Sequence, residues 1–198
     1  MKAKILNNSE SYDEAIQIAS LALEIDNSFS EAKIEKAFAL NEQGNKAFDA
    51  DKFNIALGKY SEAIALTPTN KIYYSNKAGC LKILERYEEA IQALDIALRL
   101  DPYYLPATEK KASTLNALAT LNFQNGQLQL SLIRYDEAIR LNPKEKVFFA
   151  NKAGVLIKLN RYEEAIKSAE EALKLDPKYE YANEKKRFAQ NKMSMVSF

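Results

Sequence analysis

The sequence predicts an all-α protein, a tandem array of antiparallel helix pairs, and three observations predict it. The first is composition: 198 residues, 47% hydrophobic, with only 5 glycines and 5 prolines, which is too few turn residues for an all-β chain. The second is an internal repeat, because residues 71–111 laid on 146–186 agree at 23 of 41 positions, a shift of 75. The third is a shorter period inside it: Pro68 to Pro102 spans 34 residues, and so does Pro143 to Pro177. A chain that repeats at such periods stacks similar supersecondary units rather than closing around one core.

The elements follow in chain order. Residues 1–29 read as a partial repeat: Lys2-Ala3 aligns with Lys77-Ala78, Leu6 with Leu81, and Tyr12-Asp13-Glu14-Ala15-Ile16 with Tyr87-Glu88-Glu89-Ala90-Ile91. Residues 30–104 form a first 75-residue unit of two helix pairs, residues 105–179 a second, and 180–198 a closing helix. Within a pair, Tyr74, Ala78 and Leu81 share one helical face. Tyr87, Ala90, Ile91, Leu94, Ala97 and Leu98 make the facing stripe. Glu88 and Glu89 suit the positive N-terminus of the second helix. Asp101-Pro102 stops that helix, because proline disfavours helical geometry in the residue before it.

Pro102 to Pro143 is 41 residues, seven beyond the shorter period. Seven residues are two turns with only ~20° of drift. First helices at roughly 30–50 and 105–125 therefore lengthen by roughly 10 Å without turning their packing face. The extension is either a tolerated overhang or a ledge that reshapes a groove. The pair at Leu115–Pro143 is degenerate, with Ser131 where alanine is expected and Asn122 on the packing face. Asn116 and Phe123 recur as Asn191 and Phe198. Met193, Met195, Val196 and Phe198 have no following helix, which predicts a fragment of a longer array or one completed by a partner.

Charge and residue usage narrow the function. With 28 basic and 27 acidic residues no general basic field exists for nucleic acid. There is no histidine, so the commonest general base and zinc ligand is missing. Cys80 is alone, allows no intrachain disulfide, and reads as a buried thiol. No glycine-rich phosphate loop and no nucleophile–base pair can be assembled. The expectation is a non-enzyme with no catalytic residues, no metal and no cofactor. The lack of a long apolar run predicts no membrane insertion, and the cysteine usage a cytoplasmic setting.

The alternation of large and small residues resembles the tetratricopeptide repeat family. The resemblance is carried by Leu40-Gly44-Ala47 with Phe53-Ala56-Tyr60-Ala63-Pro68, by Tyr74-Ala78-Leu81 with Tyr87-Ala90-Leu94-Ala97-Pro102, and by Phe149-Ala153-Leu156 with Tyr162-Ala165-Ala169-Ala172-Pro177. It implies a right-handed α-solenoid whose first helices line a concave face that holds an extended peptide or a partner helix. On that face the resemblance places Asn41, Asn45, Asn76, Asn116 and Asn151, whose amides both donate and accept and so can pair with any peptide backbone. Phe48 and Phe123 are candidate apolar anchors, and Lys110 and Lys185 candidate partners for an acidic group. The short runs Glu109-Lys110-Lys111 and Glu184-Lys185-Lys186-Arg187 otherwise read as solvated surface.

Residues 37–111 further resemble co-chaperone domains that clamp the acidic C-terminal tail of heat-shock chaperones with two asparagines and three cations. Asn45 and Asn76 match the asparagines and Lys110 one cation, while Asn41 and Pro106 stand where the other two belong. Each lost contact costs about 0.5–1 kcal/mol in a hydrated groove, or about 1.5–3 kcal/mol in a closed one. The second unit offers Asn116, Thr120, Asn151, Tyr181 and Lys185 at those places. Three partner classes follow: an extended peptide or helix, an acidic chaperone tail, and neighbouring subunits of a scaffold that self-associates through its ends. A regulatory segment of an enzyme lying outside these residues is a fourth reading.

Overall fold

The structure, a computed structural model, describes residues 12–196. The predicted positions Lys2, Ala3, Leu6 and Phe198 lie outside the described residues. Among those described there are ten α-helices and no strand. They are α1 (Tyr12–Ile25), α2 (Ser30–Asp49), α3 (Phe53–Leu66), α4 (Lys71–Ile83), α5 (Tyr87–Leu100), α6 (Leu105–Gln124), α7 (Leu128–Leu141), α8 (Lys146–Lys158), α9 (Tyr162–Leu175) and α10 (Glu180–Val196). Helices α2 and α6 are 20 residues long against 13 for α4 and α8, so the seven-residue extension is present where the repeat arithmetic puts it. The chain divides into two compact units, the first ending at Ala107 and the second beginning at Thr108.

In the first unit each helix packs on the next, from α1 through α5. Alanines make that approach possible: Ala78, Ala90, Ala97 and Ala107 are buried to within 1% and surround Leu81 and Leu94. Gly44 of α2 sits against the ring of Tyr60 on α3, where a Cβ would lie 2.6 Å from Cε1. Only glycine allows that contact. Cys80 is fully buried in the cluster around Ala56 and Tyr60, an inert packing role.

In the second unit α7 packs on α8, α8 on α9, and α10 on both α9 and α8. Its core joins Tyr135, Val155, Leu156, Ala165 and Ala189. The degenerate position is resolved locally: Ser131 is fully buried, and its Oγ donates to the backbone oxygen of Ala119 at 2.7 Å. Asn122 is also buried, and its Nδ2 donates to Gln127 Oε1 at 2.7 Å while its backbone oxygen accepts the Gln127 backbone N–H.

The two helices of a pair are joined by one recurrent turn. Asp51, Glu85 and Asn160 adopt φ of 57°, 58° and 59°, and Gly126 takes 74° at the equivalent place. The next residue then donates back across the turn: Lys52 to Ala47, Arg86 to Leu81, Gln127 to Asn122 and Arg161 to Leu156, at 2.8–2.9 Å. This is the six-to-one closure that satisfies the last carbonyls of a helix. A second recurrent device ties the start of a first helix to the end of its partner. Lys71 pairs with Asp101 and lies 5.0 Å over the Tyr104 ring. Lys146 pairs with Asp176 at 2.6 Å and lies 4.8 Å over Tyr179.

Candidate functional site

The first unit ties its asparagines together. Asn76 on α4 donates from Nδ2 to Asn41 Oδ1 at 3.0 Å and to Asn45 Oδ1 at 3.4 Å. Asn41 and Asn45, on α2, each donate to Glu42 Oε1, at 2.9 and 3.1 Å. The Tyr60 hydroxyl, on α3, donates to Asn45 Oδ1 at 2.8 Å, and burial holds that phenol above its ordinary pKa. Asn41 is only 4% exposed. The three amides therefore brace α2 against α4 and α3, with much of their hydrogen-bonding capacity used inside the chain. Phe48 packs in an edge-to-face pair with Phe53, centroids 5.4 Å apart, and is half-buried.

The second unit repeats the arrangement with fewer internal bonds. Asn151 on α8 donates to Asn116 Oδ1 on α6 at 3.0 Å. Thr120 replaces Asn45, and its Oγ1 lies 2.8 Å from the Tyr135 hydroxyl. Asn151 keeps its Oδ1 and its second N–H without a hydrogen bond among the described residues. Beside it opens a cavity of about 550 Å³ between α6, α7, α8 and α10. Phe123, Ile157, Tyr181 and Phe188 give it apolar walls, and Asn151 and Lys185 give it polar atoms. Lys185 lies 4.5 Å over the Tyr181 ring, so its charge is held at the wall by the aromatic face. Gly154 keeps this side open: a Cβ there would come only to 3.9 Å of Lys185 Cε.

Three residues selected from sequence, Phe123, Asn151 and Lys185, thus meet in one cavity. Asn116 stands behind Asn151. Lys110 lies on α6 and is half-buried, and its backbone oxygen accepts from Ser113 and Thr114. Sequence reasoning passed over Tyr181 and Phe188 as apolar walls. Their signal was the contrast between units, since Pro106 and Ser113 occupy the equivalent positions in the first. The charge runs are less solvated than expected: Lys111 is mostly buried and 3.5 Å from Glu137, and Lys186 reaches Glu170 at 2.8 Å. No described helix is long and apolar enough to cross a membrane.

Comparison with known proteins agrees with the repeat. Residues 68–144 and 148–179 match tetratricopeptide repeat models, together more than half of the chain. The yeast Saccharomyces cerevisiae small glutamine-rich tetratricopeptide repeat-containing protein 2 is 42% identical over 69 residues, covering 35% of this chain and 20% of its own. The Hsp70-Hsp90 organizing protein of Triticum aestivum is 29% identical over 104 residues, 52% of this chain and 17% of its own. The chain thus spans about a fifth of the length of these curated relatives. Among solved structures, a MamA protein superposes with a TM-score of 0.62 at 18% identity, over 80% of this chain and 82% of its own, a likeness of fold.

Proposed function

Because the chain belongs to the tetratricopeptide repeat family, we propose that it is a non-catalytic binding module whose second unit holds an extended peptide or a partner helix. The observation that carries this reading is the cavity that gathers Phe123, Asn151 and Lys185. The apolar walls bury one large side chain. The Asn151 amide pairs with the ligand backbone, and Lys185 meets a carboxylate. Burying a leucine-sized group contributes roughly 1.5–3 kcal/mol, and the polar contacts fix direction more than affinity. The single buried thiol, Cys80, is in keeping with a reducing, cytoplasmic setting.

The reading is tested by selecting binders from a displayed peptide library and measuring them against Gly154→Leu. The new side chain fills the cavity without a backbone clash, so affinity falls at least tenfold while the helical circular dichroism is unchanged. Binders that ignore Gly154→Leu sink the assignment.

A second reading is a co-chaperone module for acidic C-terminal tails of heat-shock chaperones. The name of the wheat relative favours it, as do Lys158 and Lys185 at the cavity. Amidating the terminal carboxylate of such a tail then weakens binding, and equal affinity for both forms refutes it.

A further inference from the structure

The two units differ beside their paired asparagines, at Glu42 and Ala117. In the first unit Glu42 follows Asn41, and its Oε1 takes N–H bonds from Asn41 and Asn45 at 2.9 and 3.1 Å. In the second unit Ala117 stands at the place of Glu42, between Asn116 and Thr120. A carboxylate held by two amide donors does chemically what an acidic ligand would do there. It occupies one N–H of each amide and leaves a negative charge beside them. An arriving anion meets donors already partly used and a like charge within a few ångströms. Among the described residues no carboxylate accepts from Asn116 or Asn151, and the cavity carries Lys158 and Lys185 with one carboxylate, Glu184.

We propose that Glu42 is a specificity-determining residue, an internal stand-in ligand that closes the first unit to anionic peptide segments and assigns them to the second. The proposal rests on the reading of the second cavity as a peptide site.

It is tested on the full chain, ¹⁵N-labelled, by following the side-chain amide signals of the five asparagines. The probes are a hexapeptide of one leucine and five glutamates, and its glutamine counterpart. In the unsubstituted protein the acidic peptide shifts Asn116 and Asn151 and leaves Asn41, Asn45 and Asn76 in place. Glu42→Gln keeps an acceptor oxygen and removes the charge, so the first-unit amides then respond, with affinity there at least fivefold higher. Ala117→Glu weakens the acidic peptide at the second unit about fivefold, the upper range for one exposed charge contact, and changes the glutamine peptide less than twofold. Equal response of both units before substitution overturns the proposal, and so does a silent first unit in folded Glu42→Gln. If only the glutamine peptide binds the second unit, the peptide site stands and the proposal falls. If neither binds, both fall.

Discussion

Asn76 donates its side-chain amide to Asn41 at 3.0 Å, and Asn151 donates to Asn116 at the same 3.0 Å. One amide pair thus recurs in both units with different duties around it. In the first unit Asn76 also reaches Asn45, and Asn41 is buried. Removing that amide strands a buried acceptor, so Asn76→Ala is expected to destabilise by about 1–3 kcal/mol. Asn151→Ala is expected to cost about 1 kcal/mol of stability and to weaken a cavity-bound peptide five- to tenfold. Thermal melts and calorimetric titration of the two variants separate these effects. Equal loss of peptide affinity in both would show that the second cavity is not the site.

Gly44 is the most closely packed of the glycines. Its missing Cβ would lie 2.6 Å from Cε1 and 2.8 Å from Cδ1 of Tyr60. Gly44→Ala should therefore destabilise by about 1–3 kcal/mol despite the better helix propensity of alanine. The clash is with ring carbons, so Tyr60→Phe does not relieve it. Tyr60→Leu does in part, and a double-mutant cycle should show the two changes costing less together than their sum. Additive costs would refute the contact.

The left-handed turn residues give opposite signs. Glu85 holds φ of 58° without being glycine, a conformation that costs an L-residue roughly 1–2 kcal/mol. Glu85→Gly should stabilise by about 0.5–1 kcal/mol after the entropy of glycine is counted. Gly126→Ala, at φ 74° with open space around it, should destabilise by about 1 kcal/mol from backbone strain alone. Chemical denaturation of both variants checks the pair, and destabilisation by Glu85→Gly would contradict the turn geometry.

The two lysine–aspartate ties set an acid limit. Hydrogen bonds from Lys71 and Lys146 hold Asp101 and Asp176 below the ordinary aspartate pKa, and the backbone N–H groups of Tyr103 and Lys178 lower them further. With the folded value lowered, the unfolded chain binds more protons in the acid range. The contribution is then complete above the unfolded value of about 3.9 and is lost as pH falls through the folded value. Melting temperature should drop more steeply below about pH 4 in the unsubstituted chain than in the Asp101→Asn, Asp176→Asn double variant. Parallel pH profiles would count against these ties.

How much was legible in the sequence follows from what kind of information each feature needs. Helix lengths and pair boundaries are local and repeated, so the excess between Pro102 and Pro143 located α6 to within a residue. A buried amide network is not local. Asn41 on a helix reads the same whether it faces water or the amide of Asn76, and only the placement of α4 beside α2 decides. The Lys71–Asp101 tie left a trace, since Lys146, Asp176 and Tyr179 repeat Lys71, Asp101 and Tyr104. In a duplicated chain, however, recurrence reports shared origin as readily as contact. Tyr181 became a cavity wall because α10 packs back on α8, a tertiary fact to which periodicity is blind.

The two extra turns have a consequence for how such a site can change. By the repeat register, residues 180–186 of α10 correspond to the extension at the start of α2, and they include Tyr181, Glu184 and Lys185, which wall the cavity. Adding or removing seven residues here raises or lowers that wall by roughly 10 Å while rotating the rest of the helix by only ~20°. Depth is therefore a quantity this architecture can adjust in whole steps, much as a screw is shortened without recutting its thread. Selectivity can drift through length at the mouth of the cavity while the alanine-lined seams beneath it stay in phase.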